Sequence, residues 1–133
     1  MSREVNKELV RRFLEEVINA RNVSAIAEFM VAGSMFAGAF EGFVNQYIKV
    51  AFPDFQLKIE EVFSEEDKVL VQTTVTATQT GAIWGHPPSG KTYSSTAIYI
   101  FKVADGKIIS GQWVTDRLEN SQQLGWLPMP GQS

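Results

Sequence analysis

Apolar residues recur every three to four positions at the start of the chain: Val5, Leu9, Phe13, Val17 and Ile18, with Arg3, Lys7, Arg11, Glu15 and Glu16 on the other faces. That period predicts an amphipathic helix over residues 3–21, ended by Asn22. A second, short helix follows over 24–31, with Ser24 as its N-cap and Ile26, Phe29 and Met30 on its apolar side. The stretch AGSMFAGAFEGF has no clean period. Residues 41–52 read as helix again, because Phe43, Val44, Tyr47, Ile48 and Ala51 form one stripe. Pro53 stops it, since a residue before proline is pushed out of the α region.

From Phe55 onward the period becomes two. Leu57, Ile59, Glu61 and Phe63 alternate with polar neighbours, as in a half-buried strand. SEEDK is a charged turn, and VLVQTTVTATQT is a long β-branched strand. GAIWGHPPSGK is loop, broken by glycine and proline. KTYSSTAIYIFKV is the third strand, ADGK a hairpin turn, and IISGQWVTDRLE the closing strand. NSQQLGWLP is a last segment that Pro128 and Pro130 keep from continuing as helix. Helices followed by hairpin-linked strands mean α+β: a curved antiparallel or mixed sheet wrapped around the N-terminal helices, leaving a cone whose open mouth suits a small molecule. The expected unit is one domain over residues 1–133, frayed at 1–2 and 129–133.

Composition narrows the function classes. A net charge of −3 and no basic cluster argue against a nucleic-acid partner. No apolar run approaches the ~20 residues that span a bilayer, and MSREVNKELVRRF does not read as a secretory leader, so a cytoplasmic location is expected. There is no cysteine and a single histidine, His86, so neither a thiolate site nor a catalytic zinc site is expected. No phosphate loop, dinucleotide fingerprint or nucleophile elbow is present, and no cofactor is expected.

Several stretches taken together resemble a known family. Phe52-Pro53-Asp54-Phe55, TQTGAIWGHPPSGK at 78–91, VADGKI at 103–108, and Asp116 followed by Gln123-Leu124-Gly125 are similar to the SnoaL-like polyketide cyclases of the nuclear transport factor 2-like superfamily, which also holds ketosteroid isomerases. The resemblance covers nearly the whole chain in element order and is strongest over 52–128. It implies a cone-shaped fold, a common tendency to form homodimers, and cofactor-free ring closure by aldol condensation, with an aspartate at the Asp116 position as acid–base group. Relatives that open epoxides or isomerise leave those reactions as alternatives. The chain departs from the family at Gln79, where many members carry histidine. It departs again at Ser110, Gly111 and Gln112, where many carry Glu-His-Trp, and in GSMFAGAF, where acidic or histidine residues are common.

Asp116 is therefore the expected acid–base residue. A carboxylate in an apolar pocket loses hydration, and this moves its titration toward the working pH. Strand alternation would put Gln112 on the same face, to hold a substrate oxygen or to orient the carboxylate. The plainer alternative for Asp116 is a pair with Arg117 or a cap on the following segment. Gln79 is expected to hydrogen-bond a substrate carbonyl, or else to pair with backbone. Trp84, Trp113, Phe40 and Tyr47 are expected to wall the pocket for a flat, hydrophobic small molecule. His86 is expected at its mouth, or as an exposed loop residue. Tyr99 and Thr96 have opposite parities, so only one can face inward. Tyr99 would then be a hydroxyl donor to an enolate. A non-catalytic module that binds a lipophilic ligand is the competing reading.

Overall fold

A computed structural model of the chain describes residues 3–127, so the expected frayed ends, Pro128 and Pro130 lie outside the described residues. The first helix, α1, spans Arg3–Phe13 and runs on as a π-helical segment over Leu14–Asn19. It buries Val10, Phe13, Leu14, Val17 and Ile18. Val5, expected in that stripe, is 47% exposed, and Asn6 takes the buried place beside it. Two polar side chains tie the helix end to the sheet. Asn19 bonds both the N–H and the carbonyl of Leu57 at 2.9 Å, as a neighbouring strand would. Arg21, in the left-handed region (φ 61°), donates to the carbonyls of Ile18, Asn19 and Pro53.

A 3₁₀ turn over Val23–Ala25 leads into α2, Ile26–Phe29. Ser24 is inside this turn and donates to Asn22 Oδ1 at 2.7 Å, so the expected N-cap role is not what it does. The third helix also begins earlier than its periodicity predicted. It starts as α3 at Met35–Gly42, capped by Ser34, whose Oγ accepts from the Ala37 N–H. A π-helical turn over Phe43–Ile48 follows, then α4 at Lys49–Ala51. The predicted stripe holds within it: Val44, Ile48 and Ala51 are buried, Phe43 and Tyr47 half-buried.

Four strands form one antiparallel sheet in chain order: β1 Gln56–Glu65, β2 Lys68–Thr78, β3 Thr92–Ala104 and β4 Lys107–Thr115. A single parallel bridge, Met30 to Ile108, joins the helical layer to β4. Asp105 and Gly106 both have positive φ, as a two-residue I′ hairpin requires. Two bulges, after Ile59 and after Lys102, add curl to the sheet. The first also reverses the parity of β1. Val62 rather than Phe63 then faces the helices, and Phe63 is 56% exposed, against the simple alternation read from the sequence. Helices cover the concave face, where Phe13 packs edge-on against Phe29, Phe40 and Phe101, with centroids 5.0–5.9 Å apart.

The closing strand ends at Thr115, four residues short of expectation, and Arg117–Gln123 form a last helix, α5. Asp116 caps it by accepting from the Glu119 N–H at 2.9 Å. An Asp with a Glu three residues later is the spacing of a capping box. That local signal outweighs continued alternation once the strand has no further partner, since Ala97↔Thr115 is its last pair with β3.

Candidate active site

Between the π-helical turn of the third helix, the 81–91 loop, the end of β4 and α5 lies a cavity of about 590 Å³. Its walls are aromatic. Phe43 and Tyr47 come from the third helix, Trp113 from β4, and Trp84, His86 and Trp126 from the mouth. A smaller hollow of about 60 Å³ continues inward, sharing Phe43, Tyr47, Trp113, Thr115 and Asn120 and adding Tyr93 and Tyr99. Polar groups are few and placed: Thr115, Asn120, Ser121, Gln46 and Arg117, with no aspartate or glutamate among the lining residues.

The mouth is built by a tight turn. Ile83 and His86 exchange backbone hydrogen bonds at 3.0 and 2.8 Å across Trp84 and Gly85, both of which have positive φ. A tryptophan in the left-handed region costs on the order of 1 kcal/mol, and here it holds the indole over the opening. His86 stacks on Trp126 with centroids 4.1 Å apart and planes 4° from parallel.

Gln79 fixes this loop. It is completely buried. Its Nε2 reaches the carbonyls of Gly81, His86 and Pro87, and its Oε1 accepts from the Ser89 N–H and from Trp126 Nε1 at 3.0 Å. The amide has no capacity left for a substrate. The expected substrate contact is thus corrected to the backbone-pairing alternative: Gln79 shapes the mouth without lining it. The loop is also seated on the helical layer. Thr80 and Gly81 donate to the Ala51 carbonyl, and a Cβ on Gly81 would fall 2.0 Å from the Val50 oxygen.

Deeper in, Tyr47 and Tyr93 share a hydrogen bond between their hydroxyls at 3.1 Å. Burial raises the pKa of Tyr47, outweighing both that bond and the nearby Arg117 charge. Burial likewise raises Tyr93 far above a free phenol and pushes Tyr99 up to about 12. All three are neutral hydroxyls at physiological pH. Beside them Asn120 Nδ2 donates to Thr115 Oγ1 at 3.3 Å, while Asn120 Oδ1 is buried without a partner.

The structure brings together Tyr47, Trp84, His86, Trp113 and Tyr99 from the residues predicted for the site. Tyr99 faces inward and Thr96 outward. Phe40 is corrected to core: it is 3% exposed, one layer below the cavity, packed on Phe13, Phe36 and Trp113. Gln112 is corrected too. It pairs with Ile100 on the convex face, because the inward residues of β4 are Trp113 and Thr115. Asp116 is at the rim, between two lining residues, Thr115 and Arg117. Its side chain is exposed and caps α5, and does not point into an apolar pocket. Arg117 does not pair with it, and its guanidinium lies over the Trp84 ring, 5.2 Å from the centroid. Thr115, Asn120, Gln46 and Tyr93 were not read from the sequence as site residues. Thr115 was available from the parity of Trp113, and Asn120 from its three-residue spacing to Arg117 on a helix. Among the described residues no three His, Cys, Asp or Glu side chains cluster as a metal site would need.

The sequence over residues 8–124 matches a known family, that of the SnoaL-like polyketide cyclases. The chain belongs to the SnoaL-like polyketide cyclase family. Among curated proteins, it is 26% identical to the aklanonic acid methyl ester cyclase DauD of Streptomyces sp. (strain C5), over 92% of this chain and 88% of that one. Two solved structures match at a TM-score of 0.81. They are TsrD from Streptomyces laurentii, 24% identical over 96% of this chain and 99% of that chain, and AclR from Streptomyces galilaeus, a proposed hydroxylase, 26% identical over 98% and 87%. At such identities the TsrD match speaks for the SnoaL-like fold alone. No helix among the described residues of this SnoaL-like chain is long and apolar enough to cross a membrane.

Proposed function

We propose that this protein is a cofactor-independent cyclase that closes a ring within a hydrophobic, polyketide- or terpenoid-like molecule held in the aromatic cavity. The observation that carries the reading is the cavity itself: about 590 Å³ of aromatic wall narrowing onto neutral hydrogen-bonding groups, in a member of this family. Such walls take up flat rings by area burial and ring packing and exclude water from the reacting carbons. Ring closure by aldol chemistry needs a base to remove a proton beside a carbonyl, and donors to stabilise the enolate and then the alkoxide oxygen. The tyrosine hydroxyls of the deep hollow and Thr115 supply neutral donors. Asp116, the carboxylate between Thr115 and Arg117, is assigned the base, a role that requires its side chain to turn from the Glu119 N–H toward the cavity when substrate binds. The same groups would serve an isomerisation or an epoxide opening. A cytoplasmic setting is part of the proposal.

Asp116→Asn separates catalysis from capping, because asparagine also accepts the Glu119 N–H. Turnover is expected to fall by about 10²–10⁴ with the melting temperature unchanged. Undiminished turnover would remove Asp116 from the mechanism. One observation favours a second reading, that of a non-catalytic carrier: among the described residues no carboxylate lines the cavity. Tight binding of a polycyclic ligand that is recovered unchanged from wild-type protein would support the carrier.

The convex sheet face presents Phe63, Ile98 and Val114 to solvent, at 56%, 37% and 71% exposure, with no helix over them among the described residues. We assign this face to a homodimer interface, its inner neighbours Gln112 and Ile100 included.

A further inference from the structure

We infer that Arg117 is an anion-recognition residue, so that the ligand of this cavity is an aromatic acid carrying a carboxylate, held ring-inward with the charge at the mouth. The inference rests on the cavity being the ligand site proposed above, and adds a charge to that ligand. Three observations converge on it. First, Arg117 is the single lysine or arginine among the lining residues, and none of them is acidic, so its charge is not cancelled inside the cavity. Second, its guanidinium has no ion pair among the described residues. The neighbouring Asp116 carboxylate is turned to the Glu119 N–H instead. Third, the guanidinium is already held over the Trp84 ring, 5.2 Å from its centroid, on a turn strained to present that indole. A guanidinium held over a ring face keeps N–H groups free to donate to an anion.

The Arg117 charge also reaches inward, favouring ionisation at the Tyr47 hydroxyl although burial wins there. A carboxylate at the mouth would take two parallel N–H···O bonds from the guanidinium edge, the geometry that arginine offers and lysine does not. Deeper in, the Asn120 amide, bonded to Thr115 Oγ1, adds a neutral polar group to the wall. Partial exposure of the guanidinium keeps the expected discrimination near the low end for charged hydrogen bonds.

The test uses 6-hydroxy-2-naphthoic acid and its methyl ester, which share rings and hydroxyl and differ in charge. Binding is read by calorimetry and by fluorescence of the lining tryptophans. Wild-type protein is expected to bind the acid on the order of tenfold tighter than the ester. Arg117→Gln should abolish that preference, the acid losing about tenfold more affinity than the ester, and Arg117→Lys should keep part of it. Equal affinities in wild type, or a preference that survives in Arg117→Gln, overturns the anion role and leaves the cavity as a ligand site. Failure of both compounds to bind at millimolar concentration overturns the role and the ligand site together. Loss of turnover in Asp116→Asn with the acid preference intact would show that the two proposals stand apart.

Discussion

Replacing Gln79 by methionine is the sharpest probe of how the cavity mouth is held. Methionine keeps the length and flexibility of the side chain and removes the amide. The amide has two N–H groups and two acceptor lone pairs, so four hydrogen bonds can be satisfied at a time, shared among the five partners in reach. At about 0.5–1.5 kcal/mol net per bond, the loss lies between about 2 and 6 kcal/mol. The loop is partly exposed, and water can replace some of the partners, so about 2–4 kcal/mol is expected. For a chain of this size that lowers the melting temperature by roughly 7–14 °C. Urea denaturation followed by far-ultraviolet circular dichroism measures the loss. The Trp126 indole, freed from Gln79 Oε1, should show a shifted emission in the native baseline. Stability within about 0.5 kcal/mol of the parent would refute the hub. Gln79→Glu sharpens the sign. It keeps the acceptor for Trp126 and turns a carboxylate oxygen toward three carbonyls. That glutamate would titrate higher in the folded than in the unfolded chain, so its penalty is absent below about pH 4 and grows as pH rises toward neutrality.

Two further outcomes follow from the geometry. All three tyrosines have pKa values raised by burial, Tyr99 to about 12, so above pH 10 the unfolded chain gives up phenolic protons that the folded chain retains, and stability falls as pH rises from about 10 toward 12. Tyrosinate absorbance should then appear together with loss of circular dichroism, and a tyrosine that titrates near pH 10 in folded protein would contradict this. Sedimentation should give a dimer for the wild type and a monomer for Val114→Glu, which buries a charge within the assigned interface; a monomeric wild type would refute that interface.

The fold was legible where one period runs long enough to average out exceptions. The first helix, the three hairpins and the Asp105-Gly106 turn all followed from spacing and turn chemistry. It was illegible where a single residue changes the phase. The bulge after Ile59 moved Phe63 to the convex face, and the Asp116 cap turned the end of an alternating strand into α5. That second event cost most at the site. Continuing the strand put Gln112 and Asp116 on the inner face together, whereas the observed register puts Trp113 and Thr115 there, and α5 brings Arg117 and Asn120 to the cavity. Aromatic walls were easier to foresee, because Tyr47, Trp84 and Trp113 have few alternatives in a chain this small. Phe40 shows the limit, since core and cavity draw on the same residue type.

The attachment of the 81–91 loop has a consequence for how specificity can change. Gln79 grips that loop through main-chain atoms: the carbonyls of Gly81, His86 and Pro87 and the amide of Ser89. Such an anchor does not read side chains. Sequence can drift at Ile83, Trp84 and His86, which face the ligand space, while the path of the loop stays the same. The loop is thus an exchangeable cassette clipped to a constant frame, and a library confined to those three positions would sample new ligands while the main-chain anchor is retained.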